Sequence, residues 1–249
     1  MNRDATGLAG VRHITFNDLG STNAEALERA RRGERGPLWI TARAQSAGRG
    51  RRGSVWISPP GNLYATLLLT DPSPPDVAPQ LSFVAVLALH DAVAAIAPPF
   101  GPALKVKWPN DLLLGVEKLA GILIESENDP VFAAVVGIGV NCASHPPDTP
   151  YPATDLATAG VQVAPQQLFA AVAPAMDARI AQWRQGRGFA ATRADWLKRA
   201  AGLGQRINVR LPERELSGRF EGLGEDGRLL VAHAGGIVAV TAGEVFGLG

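Results

Sequence analysis

At 249 residues, 46% hydrophobic and 19% charged, the chain has the composition of a folded globular protein, far from the disordered or collagenous classes. Its 24 Lys+Arg against 23 Asp+Glu leave a net charge of +1, too balanced for a surface that binds a nucleic-acid backbone throughout, so any strong positive field must be local. The single cysteine, Cys142, cannot form an internal disulfide and fits a reducing cytoplasm; the polar N-terminus and an apolar stretch at 83–97 broken by His90 and Asp91 predict neither export nor a membrane span.

Residues 11–16 read as a short strand. Ser21-Thr22-Asn23-Ala24-Glu25 then opens a helix, with Thr22 and Glu25 at capping-box spacing, that runs to about Arg32. Residues 38–44 are β-rich, and 62–70 carry Leu63, Ala65, Leu67 and Leu69 on one alternating face. A proline-rich turn at 71–79 leads into a long buried helix at 80–97, stopped by Pro98 and Pro99. Apolar runs at 104–108, 111–114, 118–125 and 131–140, separated by turn signals, predict an antiparallel strand meander. Two helical segments follow near 165–185 and 189–201, and Gly202 to Gly204 marks a boundary. Beyond it, short strands at 206–211, 216–223, 228–232 and 236–241, with an Asp226-Gly227 hairpin signal, predict a small β-barrel. The expected class is α/β (α+β): a mixed, mostly antiparallel sheet packed against helices over residues 1–202, then a small all-β domain over 203–249.

The segment Gln45-Ser46-Ala47-Gly48-Arg49-Gly50-Arg51-Arg52-Gly53 alternates arginines with glycines between two predicted strands. Glycine lets backbone N–H groups approach an anion, and arginine adds bidentate charge suited to carboxylate or phosphate. A basic surface loop or a nucleic-acid contact fits the same composition; the neutral total charge and the sparse neighbouring aromatics, Trp56 and Tyr64, count against nucleic acid. In Lys105-Val106-Lys107-Trp108-Pro109-Asn110-Asp111, the amide and carboxylate either form the turn or face a ligand. Lys118 opens the apolar run Lys118-Leu119-Ala120-Gly121-Ile122, where it is either solvated or aimed at a phosphate past Gly121. Gly137-Ile138-Gly139-Val140-Asn141 ends a strand, its glycines serving packing or a ligand. No Cys/His cluster has metal-ligand spacing, and no Walker-type or G-x-S-x-G motif is present.

In this order the segments resemble the biotin protein ligase family, whose pattern is Ser-Thr-Asn, GRGRRG with a following tryptophan, KWPND, KLAG and a Gly-x-Gly-x-Asn strand end. The resemblance spans residues 21–141 and implies a catalytic domain related to lipoate ligases, then an SH3-like barrel. It implies an ATP-dependent enzyme that adenylates biotin to biotinyl-5′-AMP and transfers it to one lysine of a biotin carboxyl carrier protein of acetyl-CoA carboxylase or a related carboxylase. Only about a dozen residues precede the first predicted strand, so no winged helix-turn-helix, DNA binding or repressor activity is expected. Carried over by position, Ser21, Thr22, Asn23, Gln45, Gly48, Arg49, Arg51, Lys118, Gly121 and Ile122 are expected at biotin. Arg49, Arg51, Arg52, Trp56, Asn110, Asp111, Lys118 and Asn141 are expected toward ATP, with Lys118, Arg49 and Arg51 catalytic and Asp111 toward Mg²⁺. The family's basic residue after the last loop glycine is Ser54 here. A lipoate or octanoate ligase, or a non-catalytic biotin- or RNA-binding module, are the alternatives, and an exposed sheet edge is expected to dock the carrier or form a homodimer.

Overall fold

The computed structural model describes residues 4–6 and 11–246. Eight strands form the main sheet: β1 (Asp4–Thr6), β2 (Arg12–Leu19), β3 (Leu38–Gln45), β4 (Leu63–Thr70), β5 (Leu104–Lys107), β6 (Asp111–Leu114), β7 (Glu117–Glu127) and β8 (Ala133–Val140). Their spatial order is β1-β2-β3-β4-β8-β7-β6-β5. The strands β2 and β3 are parallel because helix α1 (Thr22–Arg31) returns the chain between them; the other described pairs are antiparallel.

Both faces of the central strands are covered. On β4, Leu63, Ala65, Leu67 and Leu69 turn toward α2 (Leu81–Ile96) and α3 (Pro165–Trp183), as their alternation predicts. Leu68, on the opposite face, packs with Leu27 and Ala30 of α1 and with Ile14, Leu38 and Ile40. Covering both faces explains why β4 reads as an almost continuous apolar run. The stretch Ala78–Ile96 is long and apolar enough to cross a membrane, but it is the core helix and is 67% buried here.

The start of α1 differs from the expected capping box. Ser21 is the N-cap, its Oγ accepting from Ala24 N–H, while Glu25 pairs with Arg29 at 2.8 Å. One residue of register separates the two arrangements, and it frees the Thr22 hydroxyl to point at Gln45. At the sheet's far edge β5 is covered, since Ala201 N–H donates to the Val106 carbonyl, so this edge does not offer an unpaired strand there.

After α4 (Phe189–Arg199) the chain forms β9 (Arg206–Arg210), β10 (Glu215–Leu223), β11 (Leu229–His233), β12 (Gly236–Val240) and β13 (Glu244–Phe246), an antiparallel sheet in the order β12-β11-β10-β9-β13. Gly227 takes the positive φ of +85° that the hairpin turn needs. Neither β1 nor β13 was expected, because three residues are too few to show alternation. The terminal sheet shares the main core: the Trp196 ring lies 5.7 Å from Phe83 and 6.3 Å from Phe220, and Trp108 Nε1 donates to the Gly227 carbonyl at 3.2 Å.

Candidate active site

A cavity of about 600 Å³ opens where the ends of β3, β7 and β8 meet the turn between β5 and β6. Ser21, Thr22, Asn23, Gln45, Arg49, Arg51, Arg52, Trp56, Asn110, Asp111, Lys118, Gly121, Ile122 and Asn141 all line it, so the five sequence segments converge on one place. Gly48 stands just behind, and it must be glycine: a Cβ there would lie 2.4 Å from the Trp56 carbonyl and 2.5 Å from Ser58 Oγ.

The glycine-arginine segment is a hairpin rather than an open loop. Gln45 bridges to Ser58 and Arg49 to Val55, and the tip is a 3-10 turn at Arg51–Gly53 with Arg52 at φ +54°. Its limbs hold Arg49 against Glu125 at 3.1 Å, and Arg51 donates to Asn110 Oδ1 at 3.4 Å and to the Gly243 carbonyl at 3.3 Å. Burial, followed by the neighbouring Arg52 charge, pushes the Arg51 guanidinium below its ordinary pKa. Arg52 itself is exposed at the rim.

Three glycines open the floor. Gly121 lies beside Lys118, while a Cβ on Gly139 would stand 2.7 Å from the Trp56 indole and one on Gly137 2.4 Å from Asn23 Oδ1. Trp56 therefore rests on the sheet, with its buried Nε1 lacking a partner among the described residues. The Lys118 ammonium sits 5.5 Å from the Trp56 ring and 5.0 Å from the Tyr151 ring.

At the deep end Asp111 holds two lysines. Lys118 Nζ lies 2.8 Å from Oδ1, close but poorly directed for a hydrogen bond, and Lys107 Nζ lies 3.1 Å from Oδ2. Burial works to raise the Asp111 pKa, but the two lysine charges outweigh it and hold the carboxyl ionised. Burial likewise opposes the Lys118 charge, and Asp111 outweighs it, lifting this lysine above its ordinary value.

That pairing weighs against Asp111 as a direct Mg²⁺ ligand. A carboxylate already neutralised by two ammonium groups has little left for a hard dication, which prefers several free oxygens. Among the described residues no three His, Cys, Asp or Glu side chains converge as a metal site. Asn141 also serves a neighbour first: its Nδ2 donates to the Thr154 carbonyl at 3.0 Å, tying down the strap at 144–153 that carries Tyr151.

Sequence reasoning did not single out Lys107 within its segment, and it missed Tyr151, Glu125, Gly243 and Glu244. Tyr151 lies in a segment rich in proline and polar residues that carries no chemical motif, and Gly243 and Glu244 come from the terminal sheet, Gly243 lying 192 residues beyond Arg51. The cavity lining counts Arg49, Arg51, Arg52, Lys107 and Lys118 against Asp111, Asp148 and Glu244, a local excess of positive charge on a nearly neutral chain.

Residues 20–141 match the Biotin/lipoate A/B protein ligase family and residues 202–247 the Biotin protein ligase C terminal domain. The chain is 43% identical to the biotin–[acetyl-CoA-carboxylase] ligase of Paracoccus denitrificans, over 91% of this chain and 96% of that one. The chain belongs to the biotin protein ligase family. Among solved structures, the Aquifex aeolicus biotin protein ligase in complex with biotin and ATP superposes with a TM-score of 0.80 at 26% identity, covering 94% of this chain and 97% of that one. The Leishmania major biotin protein ligase in complex with biotinyl-5-AMP gives 0.64 at 26% identity, covering 92% and 98%. Both halves of the biotin protein ligase layout are thus present, the catalytic sheet and the terminal one.

Proposed function

We propose that this chain activates biotin with ATP as biotinyl-5′-AMP and transfers the biotinyl group to one lysine of a biotin carboxyl carrier protein, a subunit of acetyl-CoA carboxylase or a related carboxylase. The observation that carries this is the Lys118 ammonium, held charged by Asp111 beneath two loop arginines over a glycine floor. The ligase relative's 43% identity and the C-terminal match support biotin over lipoate. We take residues 1–202 as the catalytic domain and 203–249 as the barrel domain.

In the first step a biotin carboxylate oxygen bonds to the α-phosphorus of ATP, the bond to the β-phosphate oxygen breaks, and pyrophosphate leaves with the electron pair. Two anions must meet, so fixed cations lower the barrier most: Lys118 from the floor, Arg49 and Arg51 from the hairpin. They are held before substrate arrives, so little reorganisation is needed in the transition state. Asp111, with its depressed pKa, is a poor base and acts by fixing the lysines. Magnesium would arrive with ATP and take most of its ligands from the phosphates and water, so no step is assigned to a protein-held ion.

We place biotin toward Ser21, Thr22, Asn23, Gln45, Gly48, Gly121 and Ile122, and the nucleotide toward Arg52, Trp56, Asn110, Asp111 and Asn141. The mixed anhydride reacts with water, and the hairpin bearing Arg49 to Trp56 stands where it can exclude solvent. In the second step the carrier amine attacks the biotinyl carbonyl, a C–N bond forms, the C–O bond to AMP breaks, and the nitrogen loses one proton.

The test is incubation with biotin, MgATP and an apo carrier domain, following carrier mass and pyrophosphate. Wild type is expected to add one biotin, and Lys118→Ala to slow by about 100-fold or more. Pyrophosphate release with octanoate or lipoate in place of biotin overturns the substrate assignment.

A further inference from the structure

One carboxylate beside the hairpin takes no part in the steps above. Glu125, near the end of β7, accepts two hydrogen bonds on a single oxygen, Oε2: from Asn23 Nδ2 at 2.8 Å and from Arg49 Nη2 at 3.1 Å. Asn23 is 4% exposed, its Oδ1 accepts from the Thr66 hydroxyl at 2.7 Å, and its Nδ2 also reaches the Leu123 carbonyl. Its amide cannot flip without setting an oxygen against that carbonyl and against Glu125. The carboxylate is therefore anchored from below, and what it offers upward is one acceptor for Arg49. Among the described residues Arg49 has no other side-chain partner, and its side chain is 45% exposed.

The anchoring continues to the other limb of the hairpin. Thr66 touches the Thr22 hydroxyl at 2.8 Å, Thr22 donates to Gln45 Oε1, Gln45 Nε2 donates to Ser58 Oγ, and Ser58 donates to the Trp56 carbonyl. A polar chain under the cavity thus begins at Arg49 and ends at Trp56, and Glu125 is the link through which Arg49 joins it.

We propose that Glu125 is a positioning residue that aims Arg49 across the cavity mouth and keeps the hairpin closed over the acyl-adenylate between the two half-reactions; this rests on the ligase reading above. A half-exposed ion pair is weak and screened by salt, which suits a contact that must open for each carrier. Losing it frees the Arg49 side chain, and the adenylate then escapes or hydrolyses before transfer.

The readout is the ratio of pyrophosphate released to biotin transferred, measured with the full chain, biotin, MgATP and an apo carrier domain. Wild type is expected near about one, Glu125→Ala at about threefold or higher, and Glu125→Gln, which keeps an acceptor, in between. In an Arg49→Ala background the Glu125→Ala change is expected to add nothing, because its effect passes through that arginine. A Glu125→Ala ratio equal to wild type, a Glu125→Gln ratio as high as that of Glu125→Ala, or an added effect in the Arg49→Ala background overturns the proposal while leaving the ligase reading intact. A wild type that transfers no biotin overturns both.

Discussion

Lys107 and Lys118 share one carboxylate: their Nζ atoms lie 3.1 and 2.8 Å from the two oxygens of Asp111, and all three side chains are nearly out of solvent. A strand turn brings the first lysine and the aspartate together at i and i+4, and the antiparallel partner strand supplies the second lysine. Two cations beside one anion leave a net positive floor, held rigidly enough to meet phosphate without first being ordered.

Replacing Asp111 by Asn leaves both buried ammonium groups without a counter-charge. Breaking a buried pair in this way costs about 3–5 kcal/mol, because the remaining charge stays desolvated. The expected outcome is a clear fall in the urea midpoint with little change in slope, together with reduced adenylation. A midpoint equal to wild type would show that the lysines find solvent or other partners.

The same pair sets a pH window. Asp111 has its pKa below the ordinary 3.8, so its share of stability is present above that value and is lost as pH falls through the folded one. Lys118 has its pKa above the ordinary 10.5, so its share is present below that value and is lost as pH rises through the folded one. The stability difference between wild type and Asp111→Asn should stay flat from about pH 5 to 9 and narrow below about pH 4. Denaturation curves at several pH values check this, and a difference that keeps its size at acid pH contradicts the assignment.

The floor glycines should differ sharply in tolerance. A Cβ on Gly137 meets Asn23 Oδ1 at 2.4 Å, an atom fixed by the Thr66 hydroxyl, so Gly137→Ala is expected to cost about 1–3 kcal/mol and to disturb the buried polar chain. A Cβ on Gly121 finds its nearest atoms at 3.4 Å, so Gly121→Ala should fold with stability close to wild type. Thermal denaturation of the two variants side by side decides; equal losses would mean that the floor yields uniformly.

Much of this site was legible before any coordinates, because its chemistry is written in short local segments: Ser21 to Asn23, Gln45 to Gly53, Lys107 to Asp111, Lys118 to Ile122 and Gly137 to Asn141 each sit at a strand end or turn. What joins them was not legible. Glu125 reads as an ordinary exposed strand residue until β7 pairs with β8 and faces α1, and Glu244 reads as surface until β13 returns beside β9. The surroundings of Asp111 were hidden for the same reason: its two lysine partners lie close in sequence, but only the strand register shows that both reach its oxygens. The capping register at Ser21 turned on one residue, which propensity does not resolve.

The terminal sheet should be inseparable from the main fold. Trp196 stacks edgewise between Phe83 of α2 and Phe220 of β10, Gly227 lies so close to Phe83 that a Cβ would stand 2.9 Å from its ring, and Trp108 of the lysine turn donates to the Gly227 carbonyl. Phe220 is 1% exposed, so Phe220→Ala opens a cavity at this junction and is expected to cost about 3–5 kcal/mol. Because the core is continuous, chemical unfolding should remain one cooperative transition, followed equally by tryptophan fluorescence and by far-ultraviolet circular dichroism. The variant should also lose adenylation more steeply than its folded fraction, since the sheet that delivers Gly243 to Arg51 would no longer be held at the cavity. Two separated transitions, or full activity in the folded variant, would show that the sheet is an appendage rather than a wall of the site.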